Sequence, residues 1–157
     1  MRDTDALFAV LDDPALHTFM GGEPRTRVEL EAWIAAVEPG RSPDGTQRWC
    51  NWVVVVSETG SVAGTVQATV EGDEASLAWV IGTAFQGHGY AKEAAAAIVT
   101  WLADRGVSRI RASIHPDHAA SGSVADSLGM LPMDELEDGE IVWCSSGPPA
   151  TGPTAAG

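Results

Sequence analysis

Residues 86–98 read QGHGYAKEAAAAI and carry the clearest local signal in the chain. Two glycines flank a histidine, and a run of strong helix formers follows at once. The first amides of a helix have no partner within it, and the helix dipole adds partial positive charge there. Glycine lets the main chain curl, so that an anion approaches without meeting a Cβ atom. The stretch therefore predicts a phosphate-binding turn at a helix start. A glycine-rich turn without any ligand is the alternative.

Two better-known phosphate loops do not fit this stretch. A Walker loop requires Gly-Lys-Ser/Thr after its glycines, which GYAKEA lacks. A dinucleotide-binding fingerprint requires three spaced glycines after an early strand, whereas Ala91 holds the third position at the wrong spacing. Both of these nucleotide-binding classes are therefore disfavoured.

The pattern on either side of this loop predicts a mixed α+β sheet with helices on both faces. The three strands before the loop are joined by short turns, which favours an antiparallel meander. The first of them is apolar on both faces and is predicted to be covered on each side. In chain order the predicted elements are two short helices before residue 40, strands 49–57, 62–70 and 76–82, a helix from Gly89 to Gly106, a strand 109–114, a helix closing at Gly129 and a strand 139–144.

Composition indicates one globular domain, residues 1–145, followed by a Pro/Gly/Ala-rich tail, 146–157, that is expected to be disordered. The formal charge of −13 argues against nucleic-acid or anionic-membrane binding, since both need basic surfaces. No apolar stretch is long enough to span a bilayer, and the N-terminus does not resemble a signal peptide. Cys50 and Cys144 lie in predicted strands and are expected to be buried, reduced thiols. A cytoplasmic protein fits these features best.

The loop and its surroundings resemble a known enzyme family. QGHGYA, residues 86–91, matches the Q/R-x-x-G-x-G/A signature of the GNAT acyltransferase superfamily. The likeness continues through AWVIGTAFQGHGYAKEAAAAIVTWLADRGVSRIRASIHPDHAASGSVADSLGM, residues 78–130, where strand, loop, alanine-rich helix, strand and helix follow in the family's order. ALFAVLDDPALHTFMGGEP, residues 6–24, is similar to the ribosomal-protein N-acetyltransferase-like (Rim-type) branch.

The resemblance implies an acetyl-CoA-dependent N-acetyltransferase that acts on a primary amine without a covalent intermediate. The acceptor would be a small cationic metabolite, an amine antibiotic or a protein N-terminus. By position, the cofactor-binding residues divide into the pyrophosphate loop, a splayed strand whose main chain pairs with the pantetheine arm, and one residue bordering the cofactor. The loop residues are Gln86, Gly87, His88, Gly89, Tyr90 and Ala91, the strand residues are Trp79, Val80 and Ile81, and the bordering residue is His118. Trp79 can serve as a core aromatic as well, because only its backbone is needed.

Many relatives protonate the departing thiolate with a tyrosine, which this chain lacks at the matching site near Ala125. In HAAS, residues 118–121, His118 replaces the asparagine of the branch's N-x-x-S pattern and Ser121 holds the serine site. The resemblance therefore assigns the thiolate proton donor to Ser121, with helix capping or first-turn packing as the alternative. Glu140 roughly matches a proposed general base; it could equally be an exposed strand carboxylate, with a water chain carrying the proton.

Three further expectations follow. No metal is expected, because Pro116 within HPDH prevents a regular helix through His115, so the rings of His115 and His118 lack the helical spacing of a ligand pair. The branch's opening LRP-like strand is not found, so either the start is misassigned or the sheet lacks its first edge strand; a homodimer is one way to cover the free edge. The missing tyrosine and strand also leave open a catalytically silent acyl-CoA-binding or regulatory module.

Overall fold

The structure, a computed structural model, describes residues 4–145, and the predicted disordered tail therefore lies outside the described residues. Helices and strands follow one another in the order expected for a mixed α+β fold. The helices are α1 (Thr4–Leu11), α2 (His17–Met20), α3 (Arg27–Val37), α4 (Tyr90–Ala103) and α5 (Ala119–Ser127), with single 3₁₀ turns at Pro14–Leu16 and Thr83–Phe85. The strands are β1 (Arg48–Val55), β2 (Val62–Glu71), β3 (Glu74–Ile81), β4 (Arg109–Ile114), β5 (Met130–Glu137) and β6 (Glu140–Ser145).

The six strands form one mostly antiparallel sheet in the order β1-β2-β3-β4-β6-β5. The predicted meander is confirmed, because β1 pairs with β2 and β2 with β3 in antiparallel register. The β3–β4 pair is parallel, and α4 forms the crossover between its two strands. A parallel pair needs a long connection of this kind, since a tight hairpin can join only antiparallel strands.

The two parallel strands stay together for only three residues. Glu74–Ser76 of β3 pair with Arg109–Arg111 of β4, and the pairing then stops. β3 continues along β2 as far as Ile81, whereas β4 pairs from Arg111 onward with β6. The carboxyl ends of the two strands therefore diverge and leave a gap between them.

Helices cover both faces of the sheet, as predicted. The main core lies between the sheet and α4 and α5, where β2 contributes Val66, Ala68 and Val70 and the two helices contribute Leu102 and Val124. On the opposite face α1 packs against β2 and α3 against β1, over a smaller buried set that includes Leu7 and Leu30. Among residues 4–145, no helix is long and apolar enough to cross a membrane.

The prediction that the first strand is covered on both faces is wrong. β1 lies at the edge of the sheet, as expected if the family's first strand is absent. Its side chains are exposed or only half-buried, and Val55 is 48% exposed, because neither flanking helix covers the length of the strand. Cys50, on this strand, and Cys144 are free and half-buried rather than fully buried.

A strand that the sequence pattern did not predict precedes the last one. β5 pairs antiparallel with β6 through a two-residue turn at Asp138-Gly139, where φ is positive at both residues. Only Met130 of β5 is buried, so the strand has no alternating apolar pattern. The Asp-Gly pair was the available signal, since positive φ at both central residues is what a type I′ hairpin turn requires.

Gly64 and Gly122 provide a matched test of packing. A Cβ atom at Gly64 in β2 would lie 1.9 Å from the Val80 carbonyl oxygen, whereas one at Gly122 in α5 would meet only Trp143 Cζ2 at 3.6 Å. We expect Gly64→Ala to lower the free energy of unfolding by about 1–3 kcal/mol, because β3 backbone must move. Gly122→Ala should raise it by roughly 0.5–1 kcal/mol through helix propensity. Urea denaturation measures both, and equal stability of the two variants would contradict this packing.

Candidate active site

The loop after β3 presents a row of backbone amides at the start of α4. Gly87 and Gly89 have φ of +80° and +79°, and a Cβ atom at either would meet nothing within 4 Å. Within residues 4–145, the six consecutive amides from Gly87 to Lys92 donate to no carbonyl or side chain. Open space beside unpaired amides and the positive end of a helix dipole is what a phosphate group fits. The predicted phosphate-binding turn therefore has the required geometry.

Side chains of the loop fold back onto the loop itself. Gln86 Nε2 donates to the Ile81 carbonyl at 2.9 Å, which ties the turn to the end of β3. The His88 ring lies 3.1 Å, through Nδ1, from the Phe85 carbonyl oxygen and stacks on Tyr90 with ring centroids 5.3 Å apart. These contacts brace the curled main chain and leave its amides facing outward. Lys92, the only lysine in the chain, is exposed in the first turn of α4.

The main chain of β3 forms one wall of the gap. The Gly82 amide donates to the Ala63 carbonyl at 2.8 Å, so hydrogen bonds to β2 fall on Gly82 and, by alternation along the strand, on Val80. The main-chain groups of Trp79 and Ile81 consequently point toward β4, where the parallel pairing has already ended. The Trp79 ring packs against the core. Of the three predicted strand residues, Trp79 offers its amide and carbonyl to the gap and Ile81 its amide, since the Ile81 carbonyl already accepts from Gln86; Val80 faces β2.

The opposite wall is the turn between β4 and α5. His115 Nδ1 accepts from the Asp117 amide at 3.1 Å, and His118 Nδ1 accepts from the Ser121 amide at 3.3 Å, so His118 caps α5. Burial lowers the pKa of His118, and the neighbouring His115 lowers it further. Ser121 is half-buried in the first helical turn, and its hydroxyl makes no hydrogen bond with any residue in 4–145.

Glu140 begins β6 beside this turn. The antiparallel register that pairs Ile114 with Ile141 places Glu140 opposite His115. Burial raises the pKa of the Glu140 carboxyl, His115 opposes that shift, and the nearby carboxylates of Asp138 and Glu137 add to it. A carboxylate with a raised pKa is a better proton acceptor near neutral pH than an ordinary one. The strand ends thus bring Ser121, His118 and Glu140 to the same end of the sheet as the amide loop.

Two contacts that no sequence pattern predicted connect the N-terminal segment to this site. The Phe19 ring of α2 lies 4.4 Å from the His118 ring and 5.4 Å from the His115 ring, centroid to centroid. Asp13 accepts from the Thr83 hydroxyl at 2.6 Å, which joins the end of α1 to the turn before the loop. Nothing in the local sequence marks Phe19. Asp13 before Pro14 does carry a local signal, since an aspartate in that position caps a following turn, but that signal does not indicate the contact with Thr83.

The histidines of HPDH do not form a metal site with acidic neighbours. In the part of the chain that the structure describes, no group of three His, Cys, Asp or Glu side chains is placed to hold a metal ion. Both Nδ1 atoms are instead occupied by backbone amides. The site therefore combines a loop of unpaired amides with a set of protonatable side chains at the two sides of an open gap.

Similarity to known proteins places the chain in a family. The sequence profile of the acetyltransferase (GNAT) domain matches residues 1–131. The chain belongs to the GNAT acetyltransferase family. Family membership supports acetyl transfer from acetyl-CoA to an amine as the reaction and coenzyme A binding as part of it. No curated protein sequence matches the chain.

Solved GNAT structures share the fold at low sequence identity. A Vibrio cholerae protein described provisionally as a ribosomal-protein-serine acetyltransferase is 22% identical, with a TM-score of 0.69 over 91% of this chain and 87% of that one. Spermidine N-acetyltransferase from V. cholerae, solved with CoA and spermine, is 15% identical, with a TM-score of 0.69 over 91% and 88%. An aminoglycoside acetyltransferase solved with coenzyme A and kanamycin is 16% identical, with a TM-score of 0.71 over 91% and 88%. At these identities the likeness concerns the fold.

Proposed function

We propose that this GNAT protein transfers the acetyl group of acetyl-CoA to a small cationic amine. The observation that carries the proposal is the row of unpaired amides from Gly87 to Lys92, beside a gap lined by free backbone of β3. The loop holds the diphosphate, with Gln86 and His88 bracing it rather than contacting the ligand through their side chains. The backbone of Trp79 and Ile81 pairs with the pantetheine arm, which brings the thioester to the mouth of the gap.

The groups at the mouth divide the proton transfers. Glu140 takes a proton from the attacking amine, whose nitrogen forms a bond to the thioester carbonyl carbon. The carbon–sulfur bond then breaks, and Ser121 donates its hydroxyl proton to the departing thiolate and regains one from solvent. Most of the rate comes from alignment of the two substrates, since an amine held against a thioester reacts as one molecule.

Charge favours a cationic acceptor over a neutral or anionic one. The chain carries a formal charge of −13. Asp138 and Glu140 lie at the β5–β6 turn, at the same end of the sheet as the gap, whereas Glu137 is paired with Arg111 at 3.1 Å. Spermine and kanamycin, the amines bound in two structural neighbours, are both polyamines in the broad chemical sense. A protein N-terminus is the competing acceptor class.

An assay of thiol release on polyamines, aminoglycosides and peptides distinguishes the acceptor classes. Tight CoA binding without turnover on any amine would instead favour a silent acyl-CoA-binding module.

Gly89→Val tests the amide loop. The added side chain would occupy the space that the diphosphate needs, and the lost charged hydrogen bonds are worth about 1.5–3 kcal/mol each. We expect CoA to bind about 10- to 100-fold more weakly in calorimetry. Gly106→Val is the matched control, because Gly106 has φ of +86° and equally open surroundings at the far end of α4. Equal CoA affinity in the two variants would rule out the loop as the diphosphate site.

Ser121→Ala tests the proton donor. Loss of a positioned acid reduces turnover by about 10²-fold. The KM for acetyl-CoA should change little, because the backbone contacts remain. Ser123→Ala, at an exposed serine two residues along the same helix, should keep normal turnover. Steady-state kinetics measures both variants, and normal kcat in Ser121→Ala would remove this serine from the mechanism.

Glu140→Gln tests the base. Removal of a general base should lower kcat by about 10²-fold. Because the pKa of Glu140 is raised in the folded protein, its ionised form lowers the stability of the folded state. The neutral variant should therefore be at least as stable as the wild type at pH 7. Asp138→Asn is the control: it removes a neighbouring charge while keeping a residue that tolerates the φ of +50°. If thermal denaturation is unchanged and kcat is also unchanged, Glu140 is only a strand carboxylate.

A further inference from the structure

The first turn of α5 is capped by a ring nitrogen rather than by the oxygen of a serine, threonine, asparagine or aspartate. His118 Nδ1 accepts the Ser121 amide proton at 3.3 Å, the bond that an asparagine oxygen makes at an ordinary N-cap. In the N-x-x-S pattern that HAAS resembles, an asparagine does hold this position. Histidine in place of asparagine still supplies a side-chain acceptor for the Ser121 amide, but histidine is a side chain that can be protonated near neutral pH.

Only the neutral ring can act as this cap. A neutral imidazole has one protonated and one bare nitrogen, and both are donors in the cation. Because Nδ1 accepts from Ser121, the proton of the neutral ring is on Nε2. A proton added at Nδ1 would point at the Ser121 amide and break the bond. His115 has the same arrangement with the Asp117 amide, three residues earlier.

The surroundings of His118 also disfavour its cation. From α2, the uncharged Phe19 ring covers His118 at 4.4 Å. Burial has the largest effect and lowers the pKa of His118, and His115, in the turn after β4, lowers it further through its electrostatic interaction. From β6, Glu140 faces His115. Because the folded-state pKa is lowered, the stability that the neutral cap contributes is present above the ordinary histidine value of about 6.5 and is lost as the pH falls through the lowered pKa.

We propose that His118 is a titratable positioning residue: its neutral ring holds Ser121 in the first turn of α5, and protonation releases that turn. This inference rests on the proposed function, because it assumes that the Ser121 hydroxyl serves acetyl transfer. The serine donates its proton only while the turn that carries it is fixed beside the gap. Acetyl transfer by the wild-type protein therefore declines in mildly acid solution as the cap opens.

The pH dependence of kcat in His118→Asn and His118→Ala tests the proposal. Asparagine supplies a capping oxygen that does not titrate, whereas alanine supplies no cap. We expect kcat of the wild type to fall several-fold between pH 7 and the acid side of the ordinary histidine pKa. His118→Asn should lose the part of this fall in kcat that His118 protonation causes, and its kcat should exceed that of His118→Ala several-fold. The same decline in His118→Asn, or equal kcat in the two variants, would overturn the role of His118.

A measurement without turnover separates this proposal from the proposed function. In a ¹⁵N-labelled sample, the Ser121 amide shift should follow the titration of the His118 ring in the wild type and should not titrate in His118→Asn. His115→Asn is the matched control, since it removes the other ring while leaving the cap, and it should keep the coupling. A Ser121 amide that ignores the His118 titration contradicts the cap. If the coupling is present but no amine is acetylated, the proposed function fails and the cap stands without a catalytic use.

Discussion

The site depends on one limit in the sheet: β3 and β4 pair for three residues and no further. Parallel strands end at the same edge of a sheet, so the segments that follow them meet there. The amide loop follows β3, and the capped turn of α5 follows β4. A longer pairing would close the gap and leave the Trp79 and Ile81 backbone bonded to β4. β3 stays paired with β2 and β4 with β6 along their other edges, so both strands remain part of the sheet while their facing edges diverge.

Packing beneath the gap fixes this divergence. α4 and α5 both face the core, and the small side chains Ala95 and Ala125 are fully buried at 0% exposure, so each helix comes close to the sheet. The start of α4 is thereby held at the end of β3, and the start of α5 at the end of β4. Gly64 permits the close approach of the Val80 carbonyl on the other side of β3. The core therefore positions the two helix starts, and the side-chain contacts of Gln86, His88 and His118 brace the loop and the cap locally.

Local signals in the sequence predicted much of this architecture. The Gly89–Gly106 helix and the 109–114 strand follow from caps and periodicity. The start of α3 also has a local signal, since the Thr26 hydroxyl accepts from the Glu29 amide in a capping box. What periodicity could not predict depends on contacts distant in sequence. β5 has almost no buried side chain, and its strand conformation depends on its hydrogen-bonded pairing with β6. The valines of β1 indicate a strand but not its place at the edge. Likewise, Phe19 meets His118 only because α2 folds back over the end of the sheet.

On the proposed function, the two substrates carry opposite charges. The chain accommodates both, because backbone amide dipoles attract the anionic cofactor and side-chain carboxylates attract the cationic amine. Many lysines around the diphosphate would repel a cationic amine at the mouth of the gap, and the chain has only one lysine, Lys92, in the first turn of α4. Amide dipoles attract an anion within about one helical turn and add no net charge. Carboxylates act over a Debye length of about 8–10 Å and can attract the amine across the surface. An acidic protein can therefore bind a polyanion and a polycation side by side, provided that amides of the protein main chain hold the polyanion.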